Sequence, residues 1–149
     1  MFAPKNILVP TDFSEFSDNA LQYACDIARQ HHSTIRLFHV VEVIQQCVAD
    51  YCLESALVAD IQARIAESAE EMIQKQIKRV PNTAGLEIII EMRQGVPHVE
   101  ILKEQEERNI DLVVISSHGR RGILGHLGSV TDKVTRRAKC PVLVVKGPQ

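Results

Sequence analysis

Apolar residues fall along this chain in short unbroken runs separated by stretches of helical spacing. Ile7-Leu8-Val9, ending at Pro10, is one such run, as a strand covered on both faces requires. Ser14 and Ser17 then offer helix caps, Glu15 and Asp18 set acids near the positive helix start, and Leu21, Ala24, Cys25 and Ala28 repeat at i, i+3, i+4 and i+7. This predicts a helix to about His31, with His31 and His32 complementing its negative end rather than ligating a metal. Ile35 to Val43, rich in branched and aromatic side chains, predicts a second strand. Leu57, Ile61, Ile65, Ala69, Met72, Ile73, Ile77 and Val80 hold helical spacing until Pro81, and 81–85 reads as a turn.

Leu86 to Met92 predicts a third strand. Gly95 and Pro97 open a third helix with Ile101, Leu102 and Gln105 inward, stopped at Asn109. Leu112 to Ile115 is a fourth strand, a glycine-rich loop follows, a helix runs from about Ser129 to Ala138, and Val142 to Val145 is a fifth strand. The alternation βαβαβαβαβ with nearly all-apolar strands implies one α/β domain over 1–149, an open parallel sheet with helices on both faces and right-handed crossovers. Ligands of such sheets sit beyond the carboxyl ends of the strands, where the winding reverses. Two segments stand there: Pro10-Thr11-Asp12-Phe13-Ser14 and Ser116 to Ser129.

Composition narrows the class. A chain that is 45% hydrophobic and 24% charged, with mean hydropathy −0.05, is neither disordered nor of low complexity. Its longest apolar runs, such as Val142 to Val145, fall far short of the roughly 18 residues that cross a bilayer. No basic-then-apolar export pattern opens the sequence, so the expected address is the cytoplasm, with no membrane partner. Cys25 and Cys140 read as small buried hydrophobes, and the Cys47–Cys52 spacing fits neither a C-x-x-C site nor a common zinc ribbon. The net charge of −2 argues against a nucleic-acid partner. It is unevenly spread: seven basic residues and one acid from Ser116 onward give that quarter +6 and leave −8 on the rest. A local anion site would explain the bias, as would a solvated helix face.

The loop after the fourth strand, Ser116-Ser117-His118-Gly119-Arg120-Arg121-Gly122, continues to Gly128-Ser129 and straight into a helix. Glycines let backbone N–H groups converge, Gly128 and Ser129 lie at a positive helix end, Arg120 and Arg121 supply charge, and His118 is within reach of a phosphate or of the loop itself. Asp132, three residues past Ser129, completes a capping box, and the same glycines would serve a plain turn and cap. No nucleophile and base pair, no Gly-x-x-x-x-Gly-Lys-Ser/Thr segment and no Gly-x-Ser-x-Gly elbow is present, so no catalytic residues are assigned.

Ile7 to Ser14, Phe38-His39-Val40, Asp111 to Val130 and Cys140-Pro141-Val142 together resemble the universal stress protein family from end to end. The resemblance implies an adenine nucleotide alpha hydrolase-like fold with sheet order 3-2-1-4-5 and homodimers joined through the fifth strand. It also implies ATP or AMP between the first and fourth strands, Mg²⁺ or Mn²⁺ through the phosphates, and ATP hydrolysis that is slow at most. On this resemblance Pro10, Thr11 and Asp12 meet the adenosine end, Val40 packs on adenine, and Ile115 and Ser116 lie near ribose. His118, Gly119, Arg120, Arg121, Gly122, Gly128, Ser129 and Val130 serve the phosphates, chiefly through the amides of the last three.

The family's ATP pattern is Gly-x-x-Gly, nine residues, then Gly-Ser or Gly-Thr. Here Ser116 replaces the first glycine, and only eight residues, Arg120 to Leu127, separate Gly119 from Gly128. The resulting expectation is a stress-response regulator or sensor that binds an adenine nucleotide and is read by a client protein. The alternative is a dimeric scaffold of the same family without nucleotide. A receiver domain would need paired acids after the first strand, where Thr11-Asp12 stands, and a flavodoxin-like carrier would need aromatics that are only 4% of this chain.

Overall fold

A computed structural model describes residues 1–42, 55–119 and 126–147. The elements are β1 (Asn6–Pro10), α1 (Glu15–His31), β2 (Thr34–Val41), α2 (Ser55–Arg79), β3 (Ile88–Gln94), α3 (Pro97–Glu107), β4 (Leu112–Ser116), α4 (Ser129–Arg137) and β5 (Val142–Val145). They form one five-stranded sheet of order β3-β2-β1-β4-β5, every pairing parallel, as the family resemblance implied.

Local chemistry sets the boundaries. Ser14 is the N-cap of α1 and its side chain accepts from the Ser17 amide, while His32 ends the helix at φ 54. Asn109, with φ 49, turns the chain after α3 as expected of a residue that tolerates the left-handed region. Pro97 stands in the first turn of α3, where its missing N–H has no consequence. β3 begins at Ile88 rather than Leu86 because pairing with β2 runs from Ile35 with Ile88 to Val41 with Gln94. Leu86 lies in the preceding turn instead, its amide donating to Thr83 O at 3.3 Å.

The continuous apolar runs conceal a period of two. Ile7, Val9, Leu112 and Val114 face α1 and α2 in one core, with Leu21, Ala24, Cys25 and Ile73. Leu8, Val113 and Ile115 face the other side and pack with Phe38, Ile101 and Val134. Each large apolar side chain so buried contributes roughly 1.5–3 kcal/mol, which is why both faces of the central strands are apolar. Burial pushes the Cys25 thiol up to about 11, so it remains an unreactive packing group at neutral pH. Cys140 is only partly buried, because it precedes β5 at the sheet margin. Cys47 and Cys52 lie outside the described residues.

Because all five strands run the same way, Pro10, Val41, Gln94, Ser116 and Val145 end on one edge of the sheet. Among the described residues no helix is long and apolar enough to cross a membrane.

Candidate functional site

The chain leaves β1 toward β2 on one side, and β4 later settles on the other. A cavity of about 820 Å³ opens at the carboxyl edge where this reversal occurs. Pro10, Thr11, Asp12, Val40, Ile115, Ser116, Gly119, Gly128, Ser129 and Val130 all line it. His118 does not: its Nδ1 lies 2.8 Å from Ser117 Oγ and its ring faces Phe16 at 6.1 Å. Arg120, Arg121 and Gly122 lie outside the described residues.

Asp12 is held from two sides. Its Oδ1 accepts from the Ser14 amide at 3.0 Å and from Ser14 Oγ at 2.5 Å. Its Oδ2 lies against Gly119, where an added Cβ would stand 2.6 Å away. A side chain there would press on the carboxylate. Gly128 differs, since its φ of −58 suits any residue and an added Cβ would meet Ser117 O at an ordinary 3.5 Å. Beyond Asp12, Phe13 takes φ 67, an outlier for a bulky side chain, and its ring packs on His39 at 4.3 Å. His39 Nδ1 is 2.7 Å from Thr11 O, so this nitrogen carries the proton.

The start of α4 revises two expectations. Gly128 is the N-cap and makes no side-chain cap, whereas Ser129 is already helical. The Ser129–Asp132 capping box therefore does not form, and Asp132 pairs with Arg136 at 3.0 Å instead. The Gly128 amide, expected to hold phosphate, donates to Ser117 O at 2.8 Å. The first intrahelical bond runs from Asp132 N to Gly128 O, so the amides of Ser129, Val130 and Thr131 are the ones a helix start leaves for a ligand. Thr131 Oγ1 donates to Ser116 O at 2.7 Å and ties this helix end to the tip of β4.

Among the described residues, the basic side chains of the last quarter lie on the surface. Lys133, Arg136, Arg137 and Lys139 are exposed and none lines the cavity. Burial and the charges of Lys133 and Arg137 hold the His98 imidazole below its ordinary value. Among the described lining residues the arginine is Arg64, from α2.

α2 supplies a wall that no sequence motif marks. Ile61, Ile65, Ala69 and Met72 form an apolar wall facing the strand tips, and the next turn contributes Gln76, fully buried. The signal was present: Gln76 follows Met72 by four and Ile73 by three, a polar residue on an apolar stripe.

An open parallel α/β domain with a crevice between β1 and β4, closed at one end by helix amides, defines a class built to receive a small ligand at its switch point. The model of the universal stress protein family matches residues 4–146, and this chain belongs to that family. A universal stress protein of Methanocaldococcus jannaschii is 33% identical over 146 residues, covering 97% of this chain and 84% of its own. The solved structure of MJ0577, from the same organism, superposes with TM-score 0.83 and 27% identity over 100% of this chain and 99% of that one. A universal stress protein solved in complex with cAMP matches with TM-score 0.71 and 22% identity over 98% and 99%. The fold is the adenine nucleotide alpha hydrolase-like α/β sandwich of these proteins.

Proposed function

We propose that the cavity binds an adenine nucleotide, ATP or AMP, and that the protein acts as a nucleotide-dependent regulator or sensor in a stress response. The observation that carries this reading is the meeting of three features in one crevice: the Asp12 carboxylate at the end of β1, the Cβ-free space at Gly119, and the amides of Ser129, Val130 and Thr131 at the start of α4. An anion end and a hydrogen-bonding sugar-and-base end suit a nucleotide, because phosphate is stabilised at a helix N-terminus and a carboxylate accepts from ribose or adenine donors. Val40 and Ile115 supply apolar contact for the ring and sugar. The fold neighbour bound to cAMP supports the ligand class.

Among the described residues no group of three or more His, Cys, Asp or Glu is placed to hold a metal ion. Mg²⁺ or Mn²⁺ would be held through the nucleotide's phosphate oxygens. Pro10, Thr11 and Asp12 orient the adenosine end while α4 binds phosphate, a division suited to retention rather than turnover. A homodimer is proposed through β5, a short edge strand whose Leu143 is exposed, and a client protein would read the bound state in the cytoplasm.

One observation favours a second reading, a family scaffold without nucleotide. The Gly128 amide is already engaged, and Ser116 adds a buried side chain where the family pattern has glycine. Titration of the purified protein with AMP and ATP, with and without Mg²⁺, in a calorimeter separates the two. Saturable heat that Gly128→Asp weakens, with the fold intact by circular dichroism, supports nucleotide binding; no heat with either nucleotide supports the scaffold.

A further inference from the structure

Gln76 belongs neither to a strand tip nor to a helix start, yet its side-chain hydrogen bonds converge on the β1–α1 segment. Its Oε1 accepts from Thr11 Oγ1 at 2.7 Å, and its Nε2 donates to Ser17 Oγ at 3.2 Å and Asp18 Oδ1 at 2.7 Å. A threonine hydroxyl has one proton. Two acceptors lie in range, Gln76 Oε1 at 2.7 Å and Ser17 Oγ at 3.0 Å; given to the nearer, Gln76, that proton leaves the Thr11 oxygen as the acceptor for the Phe13 amide at 3.1 Å. The Phe13 carbonyl is held in turn by Arg79 Nη2 at 3.2 Å, and the same guanidinium grips Asp18 at 2.6 and 2.8 Å. A left-handed phenylalanine persists only where its surroundings over-determine it. Here both residues flanking Asp12 are fixed from α2.

We propose that Gln76 is a positioning residue: by orienting the Thr11 hydroxyl it holds the Phe13 turn and so sets where Asp12 meets a ligand beside Gly119. The ligand half of this inference rests on the nucleotide reading above, whereas the turn itself is measurable without ligand. A neutral amide suits the task, since it donates to Asp18 and accepts from Thr11 at once, which neither leucine nor a carboxylate does.

The test uses Gln76→Leu, with Thr11→Val removing the bond from its other end and Thr11→Ser keeping the hydroxyl. Amide hydrogen exchange at Phe13 and Ile115 and the Kd of adenosine and of AMP are measured on each. In Gln76→Leu and Thr11→Val, Phe13 is expected to exchange about tenfold faster relative to Ile115. Adenosine and AMP should both bind about tenfold more weakly with their ratio preserved, because the α4 amides are untouched. Thr11→Ser, which keeps the hydroxyl, should leave Phe13 exchange at the parent level. Should Gln76→Leu fail to fold, Gln76→Met, similar in length and without the amide, carries the same comparison. Unchanged Phe13 exchange, protection lost equally at every amide, or an altered ratio of the two affinities overturns the proposal. Failure of the parent protein to bind either compound, with Phe13 responding as expected, removes the nucleotide reading and leaves the turn-holding role standing.

Discussion

α2 and α3 flank one cavity from opposite faces of the sheet, and each docks through a buried polar side chain of a different kind. On the α2 side Gln76 is neutral, and both ends of its amide are hydrogen-bonded to Thr11, Ser17 and Asp18. On the α3 side Glu104 is equally buried, with Oε2 2.5 Å from Arg93 Nη2 and, among the described residues, no donor in hydrogen-bond range of Oε1, Arg108 Nε being 3.6 Å away. Burial, then the hydrogen bond to Glu91 and its charge, push the Glu104 carboxyl up to about 7. Burial also raises Glu91, but the Glu104 proton and the charges of Arg108, Arg36 and Arg93 outweigh it and hold Glu91 below the usual carboxylate range. Two helices with the same task differ in chemistry: the Gln76 amide carries no titratable proton, whereas the buried Glu104 carboxyl is raised toward neutrality.

The sharpest way to break this contrast is to make the neutral side ionic. Gln76→Glu would set a second carboxylate beside Asp18 and is expected to destabilise the protein by about 3 kcal/mol at pH 8, less at pH 5 where the new group takes a proton. Urea unfolding at both pH values checks this, and an equal loss at both contradicts it. The reverse change, Glu104→Gln, tests the other wall. A carboxyl raised in the folded state stabilises fully below its ordinary value near 4.5, and that contribution is lost as pH rises through about 7. The parent protein should therefore lose stability between pH 5 and 8, on the order of 2 kcal/mol from this group, and the Gln variant should show a flattened profile in thermal melts.

The next effect is confined to the cavity. Gly119→Ala presses a methyl against Asp12 Oδ2 and is expected to weaken nucleotide binding about tenfold while hardly moving the melting temperature. Gly128→Ala should weaken it less than about threefold, since its Cβ meets only an ordinary contact; calorimetric titration of both variants ranks them. Smallest is Asp132→Asn, which removes a solvent-facing i, i+4 pair with Arg136 and should change stability by about 0.5 kcal/mol or less in the same unfolding assay.

These regions also separate what the sequence discloses from what it conceals. Element order, the Ser14 cap, the Asn109 stop and the crevice at the strand tips follow from local spacing and from the winding rule, because each depends on neighbours a few residues apart. The residues gathered around that crevice were named with help from the family resemblance, which supplied positions such as Val40 that spacing alone reads as core. What stayed hidden depends on distant partners. The bond from Gln76 to Thr11 spans 65 residues, and the α2 wall is visible only once the sheet exists to face it. Donor use was equally opaque: a glycine before a serine reads as a ready phosphate amide, yet the backbone fold gives the Gly128 N–H to Ser117 O. His118 illustrates the same point, since only the fold brings Phe16 beside it and leaves it out of the crevice lining.

The central strand of the sheet is also its first. β1 pairs with β2 through Asn6 and Thr34 and with β4 through Ile7 and Leu112, so one of its edges finds a partner early in synthesis and the other waits until most of the chain has left the ribosome. Until then a nascent chain carries an apolar strand with an open flank and half a crevice. A nucleotide bound as proposed would therefore select completed chains over growing ones, and add its binding energy only after the last crossover has closed.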